Sequence, residues 1–378
     1  MSVEDVSHWI ALNMIPGVGG ATFRRLVKFF GSPRAALNAS LKDLNSIRGL
    51  TPAVCQSIVE HRDSILVERE LDMIQRHGCK VITIQDESYP ANLKAIYDPP
   101  QILYVKGDLL PTDSLAVSVV GTRSASSYGK MVAEQISNHL AARGVTVVSG
   151  MAYGIDAAAH KGALDAGGRT IAVMGNGLDI VYPARNVRLL EKIISSGAAI
   201  SEFPMGTPPL KNNFPRRNRV ISGLSLGTLV VEAPKRSGAL ITAYHALDQG
   251  REVFAVPGQI LSEMSGGTHD LIKQGAKLVE SVEDILDELP SYALQPFTEE
   301  DFEIEEERME LQLSTEEKAV WKAIGSSQIH IDDISRQSAL PPYKVSAALV
   351  MLELKGLVQQ SAGKMFTKKV SIPASSLS

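Results

Sequence analysis

The segment from Lys211 to Ser222 places four cations and one aromatic ring within a dozen residues of a chain whose net charge is −4. Pro215 is typical of the first turn of a helix, because its fixed φ and missing N–H cost nothing there. The cations therefore crowd a helix N-terminus that the helix dipole already makes positive, which favours an anion bound opposite them. With Phe214 as a stacking surface, we interpret the segment as a phosphate site suited to a nucleic-acid strand. The alternative is a solvated basic helix end with Phe214 in the core. The cations are Lys211, Arg216, Arg217 and Arg219.

A loop from Gly121 to Ser126 follows a short apolar run and has the residue types of an anion site. Gly121 lets the backbone approach a ligand, and Arg123 can hold a phosphate through two hydrogen bonds. Ser124 and Ser126 add hydroxyl donors and a helix cap. The loop lacks the second and third glycines of a dinucleotide fingerprint, so NAD or FAD binding is disfavoured. An ordinary turn with a surface arginine is the alternative.

A second loop, after the next apolar run, begins at Ser149 and places Gly150 and Gly154 immediately ahead of a helix. Two glycines in this position predict a phosphate cradle built from backbone groups. Asp156 and His160 lie four residues apart on that helix. Their spacing favours a capping aspartate and a packed histidine over an acid and base pair.

The elements that must position these loops repeat in a regular alternation of apolar runs and helical patterns. Buried parallel strands read as continuous apolar runs joined through helices, so we predict an α/β fold with a Rossmann-like doubly wound parallel sheet. Ligands bind at the carboxyl ends of the strands in such a sheet, so the loops and the helix start at Ser237 should meet at one edge. The runs are Ala116–Val120, Val145–Ser149, Thr170–Met174, Ala199–Glu202, Thr228–Glu232 and Glu252–Val256.

Helical patterns near the N-terminus flank a turn that contains Gly17 and Gly19. This is a helix-hairpin-helix pattern, in which backbone N–H groups can face a DNA phosphate. Arg24, Arg25 and Lys28 lie nearby, and a weaker second copy runs from Ile47 to Ile58. A purely structural, SAM-like helical module is the alternative. Residues 80–107 follow and are predicted to be β-rich, with Val81–Ile84 as a strand and Leu103–Val105 at an edge.

The C-terminal third separates into an acidic segment and a small domain. Residues 286–310 hold ten acids and one base, so they carry −9 and the rest of the chain +5, which together give the net −4. Three short helical patterns and a turn at Gly363 then predict a winged helix. The predicted domains are helix-hairpin-helix at 1–78, Rossmann-like at 79–285, acidic linker at 286–311, winged helix at 312–370 and tail at 371–378.

Composition excludes several classes of protein. Only Cys55 and Cys79 are present, without metal-type spacing, so we expect two core cysteines and neither zinc nor disulfides as organisers of the fold. No apolar run reaches the roughly 18 residues needed to span a bilayer, and the first residues lack a signal-peptide pattern. We therefore expect a cytoplasmic protein with no membrane partner. No catalytic triad, Walker loop or metal cluster is present in the sequence, and we predict no cofactor.

Four motifs taken together resemble the DNA-processing protein A family, also called DprA or Smf. They lie in residues 80–280, and the predicted N- and C-terminal domains match an arrangement common in the family, so the resemblance covers essentially the whole chain. The motifs are Gly-Thr-Arg-x-x-Ser from Gly121, Ser-Gly-x-Ala-x-Gly-Ile-Asp from Ser149, Phe-Pro-x-Arg-Asn-Arg-x-Ile-Ser from Phe214 and Glu-Ala-x-x-x-Ser-Gly-x-x-x-Thr-Ala from Glu232.

The resemblance implies a protein that binds single-stranded DNA and is not an enzyme. It implies protection of incoming strands and help in loading the RecA recombinase during natural transformation and homologous recombination. Arg123, Lys211 and Phe214 would hold the strand, whereas Arg217 and Asn218 would support the pocket. Thr122 stands where the family usually has serine and keeps the hydroxyl. The predicted DNA-binding set is Gly121, Thr122, Arg123, Ser124, Ser126, Ser149, Gly150, Gly154, Lys211, Phe214, Arg217, Asn218 and Arg219.

The resemblance also implies a homodimer formed through the end of the Rossmann-like domain. His269, Ile272 and Leu278 have the spacing of that contact. Apolar residues at helical spacing are more often part of a plain core.

Two other functions remain open at this point. An enzyme that cleaves nucleoside monophosphates would use a glutamate near the phosphate loop, and the Gly227–Glu232 stretch resembles that class. A scaffold whose winged helix recognises a partner is the third hypothesis.

Overall fold

The protein's structure, a computed structural model, describes residues 3–63, 65–289, 313–324, 329–354, 358–361 and 363–368. These residues form two compact units, one that holds nearly all of the chain through residue 289 and one that holds residues 313 onward. The predicted acidic linker lies largely outside the described residues, and the predicted tail lies wholly outside them.

Short helices build the N-terminal part of the first unit. Ser32 and Thr51 begin two of them by accepting hydrogen bonds from backbone N–H groups three residues later, each directly ahead of a proline. The rings of Trp9 and Phe23 stack 5.2 Å apart in the core of this part. The described helices are α1 (Val3–Met14), α2 (Gly20–Phe30), α3 (Pro33–Leu37), α4 (Leu41–Asn45), α5 (Pro52–His61) and α6 (Val67–Arg76).

Nine strands among the described residues form one sheet, in the spatial order β1-β2-β6-β5-β4-β3-β7-β8-β9. Strands β1 and β2 run antiparallel to their neighbours, and the others are parallel. The predicted doubly wound parallel sheet is confirmed, and the six predicted strands shift by two residues at most. The strands are β1 (Lys80–Thr83), β2 (Ile102–Gly107), β3 (Ala116–Val120), β4 (Thr146–Ser149), β5 (Thr170–Met174), β6 (Ala198–Ser201), β7 (Gly227–Val230), β8 (Glu252–Ala255) and β9 (Lys277–Leu278).

One prediction about this sheet is wrong. Leu103–Val105 was expected at an edge, but β2 pairs with β1 on one side and with β6 on the other. Leu103 and Tyr104 are both 0% exposed. Apolar residues that point to both faces of a strand are typical of an internal position, and β1 forms the edge instead.

Helices cover both faces of the sheet. Along β2, Ile102 and Tyr104 join a core shared with the N-terminal helices and α10, whereas Leu103 and Val105 join a core shared with α7, α11 and α12. The N-terminal helices therefore pack on one face and α11 on the other. The helices are α7 (Ala91–Lys94), α8 (Ser127–Ala142), α9 (Ile155–Asp165), α10 (Val187–Ser196), α11 (Asn213–Leu224), α12 (Gly238–Asp248), α13 (Gly266–Lys273) and α14 (Glu283–Leu286).

The direction of the sheet reverses between β3 and β7, which are neighbours in space. From β3 the chain proceeds to β4 on one side, and from β7 it proceeds to β8 on the other. Such a switch point opens a crevice beyond the carboxyl ends of the two strands. The loop after β3 and the loop after β7 border that crevice.

The C-terminal unit has its own hydrophobic core, which includes Trp321, Val345, Leu349 and Phe366. Three helices precede an antiparallel hairpin, which is the predicted winged-helix arrangement. The elements are α15 (Thr315–Ala323), β10 (Ile329–His330), α16 (Ile331–Ser338), α17 (Pro342–Leu354), β11 (Val358–Ser361) and β12 (Met365–Lys368).

Two further observations concern the whole described chain. Cys55 and Cys79 are buried free thiols, as predicted. Within the described ranges, the helices are too short or too polar for any of them to cross a membrane.

Candidate nucleic-acid interface

Glu232 lies at the N-terminus of α8, inside the crevice of the switch point. Its carboxylate accepts hydrogen bonds from the Ser126 backbone N–H at 2.9 Å and from the Ser126 hydroxyl at 2.5 Å. The same hydroxyl caps the helix, as predicted, by accepting from the Gly129 N–H at 2.9 Å. A Cβ on Gly129 would lie 2.3 Å from the Glu232 carboxyl carbon, so only glycine leaves room for it. A carboxylate of the protein thus occupies the place where Rossmann-like folds usually hold a phosphate.

The loop between β3 and α8 is hydrogen-bonded to the loop after β7, and its one cation, Arg123, is exposed to solvent. Thr122 donates its N–H to the Glu232 carbonyl at 2.8 Å and is 9% exposed, so it serves to join the two loops. Its hydroxyl accepts from the Ser124 N–H at 3.3 Å. Arg123 and Ser124 are exposed. The loop therefore presents Arg123 from a backbone that the protein holds in place.

Phe214 lies in the first turn of α11 and contacts residues of two other loops, one after β3 and one after β5. The Arg123 guanidinium lies over its ring at 5.0 Å from the centroid. The Tyr182 ring lies 5.7 Å away, at an angle of 33°. A Cβ on Gly175 would come within 2.8 Å of the Phe214 ring, so this glycine makes room for it. Phe214 is half-buried and Tyr182 is 38% exposed, which leaves an aromatic surface beside a cation.

Lys211 is exposed and lies three residues ahead of Phe214. The loop that presents it is tied to the loop that carries Tyr182, because the Gly206 N–H donates to Asp179 at 2.8 Å and the Gly177 N–H donates to the Thr207 carbonyl at 3.0 Å. Neither Lys211 nor Arg123 forms an ion pair with any residue of the described ranges. Two cations without an ion-pair partner in the described ranges are therefore found near Phe214, Arg123 over its ring and Lys211 three residues ahead of it in the chain.

Arg217 points inward from α11 and is 4% exposed. Its guanidinium donates to the Gly150 carbonyl at 2.6 Å and to the Val173 carbonyl, which joins the ends of β4 and β5. Burial lowers the pKa of Arg217 to about 10, and the Asp156 carboxylate opposes this shift. Asn218 accepts from Arg217 at 3.2 Å and donates to the Gly238 carbonyl at 3.2 Å. Both residues thus bind groups of the protein beside Phe214, and the supporting role that the resemblance implied stays a prediction.

Arg219 has partners within the protein, and its predicted contact with DNA stays a prediction. Arg219 is 9% exposed and pairs with Glu202 at 2.6 Å and with Asp98 at 3.8 Å. Glu202 also pairs with Arg216 at 2.9 Å. The anion that the crowded helix start required is therefore supplied by the protein itself. Arg217 points away from Arg216 and Arg219 because successive helical residues are about 100° apart, whereas residues three apart lie on the same face.

Ser149 and three glycines of the predicted DNA-binding set also lie against groups of the protein, and their contact with a strand stays a prediction. Ser149 is 0% exposed and donates its hydroxyl to the Val119 carbonyl at 2.6 Å. A Cβ on Gly150 would lie 2.6 Å from the Arg217 guanidinium, and one on Gly154 would lie 2.3 Å from the Thr122 carbonyl. A Cβ on Gly121 would lie 2.5 Å from Ile155. Each of these glycines makes room for other atoms of the protein.

Asp156 and His160 have the structural roles that their spacing favoured. Asp156 is 6% exposed and accepts from the Ala152 N–H at 3.3 Å, near the start of α9. His160 is fully buried, with Nδ1 2.7 Å from the Thr170 hydroxyl. Burial, and next the Arg217 charge, lower the pKa of His160 from 6.5 to about 3, so the ring is neutral near pH 7.

Two of the three cations named in the N-terminal hairpin have partners within the protein, and the third, Lys28, is exposed. Arg24 pairs with Asp98 at 3.5 Å, and Arg25 donates to the Gly49 carbonyl at 2.8 Å. The Asp98 carboxylate also lies 3.0 Å from where a Cβ of Gly20 would be, at the start of α2. The structure therefore favours the purely structural interpretation of this hairpin over a phosphate site.

The three residues predicted at a dimer contact lie near the β9 end of the sheet. The His269 Nε2 atom is 3.0 Å from the Gly258 carbonyl, and Ile272 packs against the core. Leu278 is 40% exposed in β9, the edge strand of the sheet.

Sequence reasoning missed Tyr182, Glu202 and Asp98. Tyr182 lies in the loop after β5, which none of the four predicted motifs includes. Glu202 ends a predicted strand, where polar residues commonly face a ligand, so its position was an available signal. Asp98 lies more than 100 residues from Arg219 in sequence, and no local pattern joins the two.

The fold and this edge define a Rossmann-like protein with a helical N-terminal part, a C-terminal winged helix, and two unpaired cations around an aromatic pair at the strand ends. The model of the family described as DNA recombination-mediator protein A matches residues 80–290, and that of the DprA winged helix domain matches residues 305–364. The chain is 42% identical to Protein Smf of Escherichia coli (strain K12) over 300 residues, which is 79% of each chain. The chain therefore belongs to the DNA recombination-mediator protein A family.

Two solved structures resemble the chain. The X-ray structure of DNA processing protein A from Streptococcus pneumoniae has a TM-score of 0.66 and 39% identity, and covers 75% of this chain and 98% of that one. DNA processing protein A from Helicobacter pylori, a protein with a single-stranded DNA binding mode, has a TM-score of 0.50 and 29% identity over 55% of this chain and 94% of that one.

Proposed function

We propose that this protein binds single-stranded DNA without sequence preference at the carboxyl edge of its sheet. The observation that carries the proposal is the unpaired Arg123 over the Phe214 ring, with Tyr182 beside it and Lys211 presented from the adjoining loop. Cations that bind phosphates give affinity for any sequence, and an aromatic ring accepts any base. The DNA-binding relative from Helicobacter pylori supports this choice of ligand.

The geometry suggests how the contacts form. Arg123 lies over one face of Phe214, so its movement toward a phosphate would uncover that face for a base. The cation–π contact holds the guanidinium near the position where a phosphate would arrive, and stacking contributes about 1–3 kcal/mol per base. Ser124, Thr122 and Gly121 would then border the strand without supplying charge.

Within this function, we assign the chain to the protection of incoming strands and to RecA loading in natural transformation and homologous recombination, in the cytoplasm. It would act as a homodimer through His269, Ile272 and Leu278. Family resemblance supports these roles, and the exposed Leu278 at the open edge of β9 supports the dimer. Leu278→Arg should shift the protein to monomer in sedimentation analysis; an unchanged sedimentation coefficient would contradict this contact.

We do not assign an enzymatic activity. The rival function, cleavage of nucleoside monophosphates, needs a glutamate that is available beside the phosphate. Glu232 is 7% exposed, and both its carboxylate oxygens accept hydrogen bonds from Ser126. Release of free base from nucleoside monophosphates by the purified protein would establish the rival.

The test of the proposed function compares labelled single-stranded and duplex oligonucleotides in equilibrium binding. We expect tighter binding to the single strand, and weaker binding when Arg123 or Lys211 is replaced by alanine. Glu68→Ala, on the exposed face of α6, is the control and should leave affinity unchanged. Wild-type affinity in both the Arg123 and Lys211 variants would exclude this edge as the binding site.

A further inference from the structure

The loop between β6 and α11 is anchored in the N-terminal helices before it reaches Lys211. The Met205 side chain is 7% exposed and belongs to the same core as Trp9 and Leu12 of α1. Its backbone N–H donates to the Glu70 carboxylate in α6 at 2.8 Å. Glu70 itself is 3% exposed. A buried side chain from one part of the unit therefore holds the backbone of a loop from another part.

A carboxylate is a costly side chain at this position. Burial raises the pKa of Glu70, and the Met205 N–H opposes that shift by binding the charged form. An apolar residue would fill the same space in the core without this cost, but it would leave a buried N–H without a partner. The Glu70 carboxylate thus provides a hydrogen-bond acceptor for the backbone of the β6–α11 loop.

From Met205 onward, the loop is fixed step by step toward the candidate interface. Gly206 has a φ of +75° and donates its N–H to Asp179 at 2.8 Å. The Thr207 carbonyl then accepts from Gly177 at 3.0 Å. Lys211 follows four residues later and is exposed. The position of its side chain depends on a backbone path whose first anchor is Glu70.

We propose that Glu70 is a positioning residue for strand binding: by holding the Met205 N–H, it sets the loop that brings Lys211 beside Phe214. The N-terminal helices would then act on DNA affinity through this loop, without contacting the strand through their hairpin. The inference rests on the proposed function and adds to it a residue that lies in a different part of the chain.

The experiment measures how the affinity of the full-length protein for a labelled single-stranded oligonucleotide depends on salt. Glu70→Ala should lower the slope of log affinity against log salt by about 0.7, the value for one phosphate contact, as Lys211→Ala does. Adding Lys211→Ala to Glu70→Ala should cause no further loss, whereas adding Arg123→Ala should cause its full loss. Glu70→Gln keeps an acceptor oxygen and should restore the wild-type slope.

The matched control is Glu68→Ala, which removes an exposed carboxylate from the same helix and should leave the slope unchanged. A lowered unfolding free energy with an unchanged slope would show a purely structural role and overturn the proposal. A full Lys211 contribution in the Glu70→Ala background would also overturn it. If Glu70→Ala does not fold, Glu70→Asp carries the same coupling test with the same two outcomes. If neither Arg123→Ala nor Lys211→Ala changes the affinity of the otherwise wild-type protein, the proposed function itself is refuted.

Discussion

The sheet edge and the N-terminal hairpin both combine glycine turns with arginines near a helix start, yet their cations have different partners. In the hairpin, Arg24 pairs with Asp98 at 3.5 Å and Arg25 binds the Gly49 carbonyl at 2.8 Å. At the edge, Arg123 rests on an aromatic ring and pairs with no carboxylate of the described residues. The two regions teach that glycines and cations mark a phosphate site only where the protein leaves the cations unpaired.

The arginines of α11, like Arg24 and Arg25 of the hairpin, have partners within the protein. Arg216 and Arg219 share the Glu202 carboxylate, and Arg217 is bound to backbone carbonyls. A tethered carboxylate competes with any external phosphate, because it pays no cost of association. Helix α11 therefore contributes its aromatic residue to the interface and uses its arginines to hold the surrounding wall.

The largest expected effect is on stability and concerns Arg217, a buried residue behind the sheet edge. Arg217→Leu leaves two buried carbonyls unpaired and a buried Asp156 without its nearby cation, so we expect unfolding to become easier by about 3–5 kcal/mol. Arg123→Leu, at the exposed side of the same edge, should change stability by about 0.5 kcal/mol or less. Urea unfolding of the two variants measures both values. Equal effects would remove the distinction between wall and contact residues.

Lowering the pH should reduce the free energy of unfolding through His160, which is also buried behind the sheet edge. The pKa of His160 falls from 6.5 to about 3 on folding, so below pH 6.5 the unfolded chain takes up a proton that the folded chain does not. This residue should therefore lower stability by about 1.4 kcal/mol for each pH unit below its unfolded pKa. Unfolding free energies of wild type and His160→Gln, compared down to about pH 5, test this before most carboxylates titrate. Parallel pH profiles would contradict it.

The next largest expected effect is on DNA affinity and comes from base stacking on Phe214. Phe214→Ala should weaken single-stranded DNA binding by about 1–3 kcal/mol for every base composition. Phe29→Ala is the matched control, since Phe29 is a 57% exposed ring on helix α2 of the hairpin. Fluorescence anisotropy with homopolymeric oligonucleotides measures both. A larger loss from the Phe29 variant would transfer the contact to the hairpin.

The sequence predicted the sheet well because continuous apolar runs such as Ala116–Val120 leave few alternatives to buried parallel strands. The sequence predicted the exposed contacts less well. Arg123 and Arg219 are both arginines near a helix start, and the sequence does not show that only Arg219 has carboxylates within ion-pair distance. The partners Asp98 and Glu202 come from distant segments, and only the fold brings them to α11. The helical period of about 100° per residue does imply that Arg217 lies on a different face from Arg216 and Arg219.

The most direct test of the comparison is the salt dependence of single-stranded DNA binding in two double variants. Arg123→Ala with Lys211→Ala removes the cations of the edge, and Arg24→Ala with Arg25→Ala removes those of the hairpin. We expect the edge variant to lose about 1.4 from the slope, or about 0.7 for each phosphate contact, and the hairpin variant to keep the wild-type slope. A reduced slope in the hairpin variant together with a wild-type slope in the edge variant would contradict the assignment of the strand to the sheet edge.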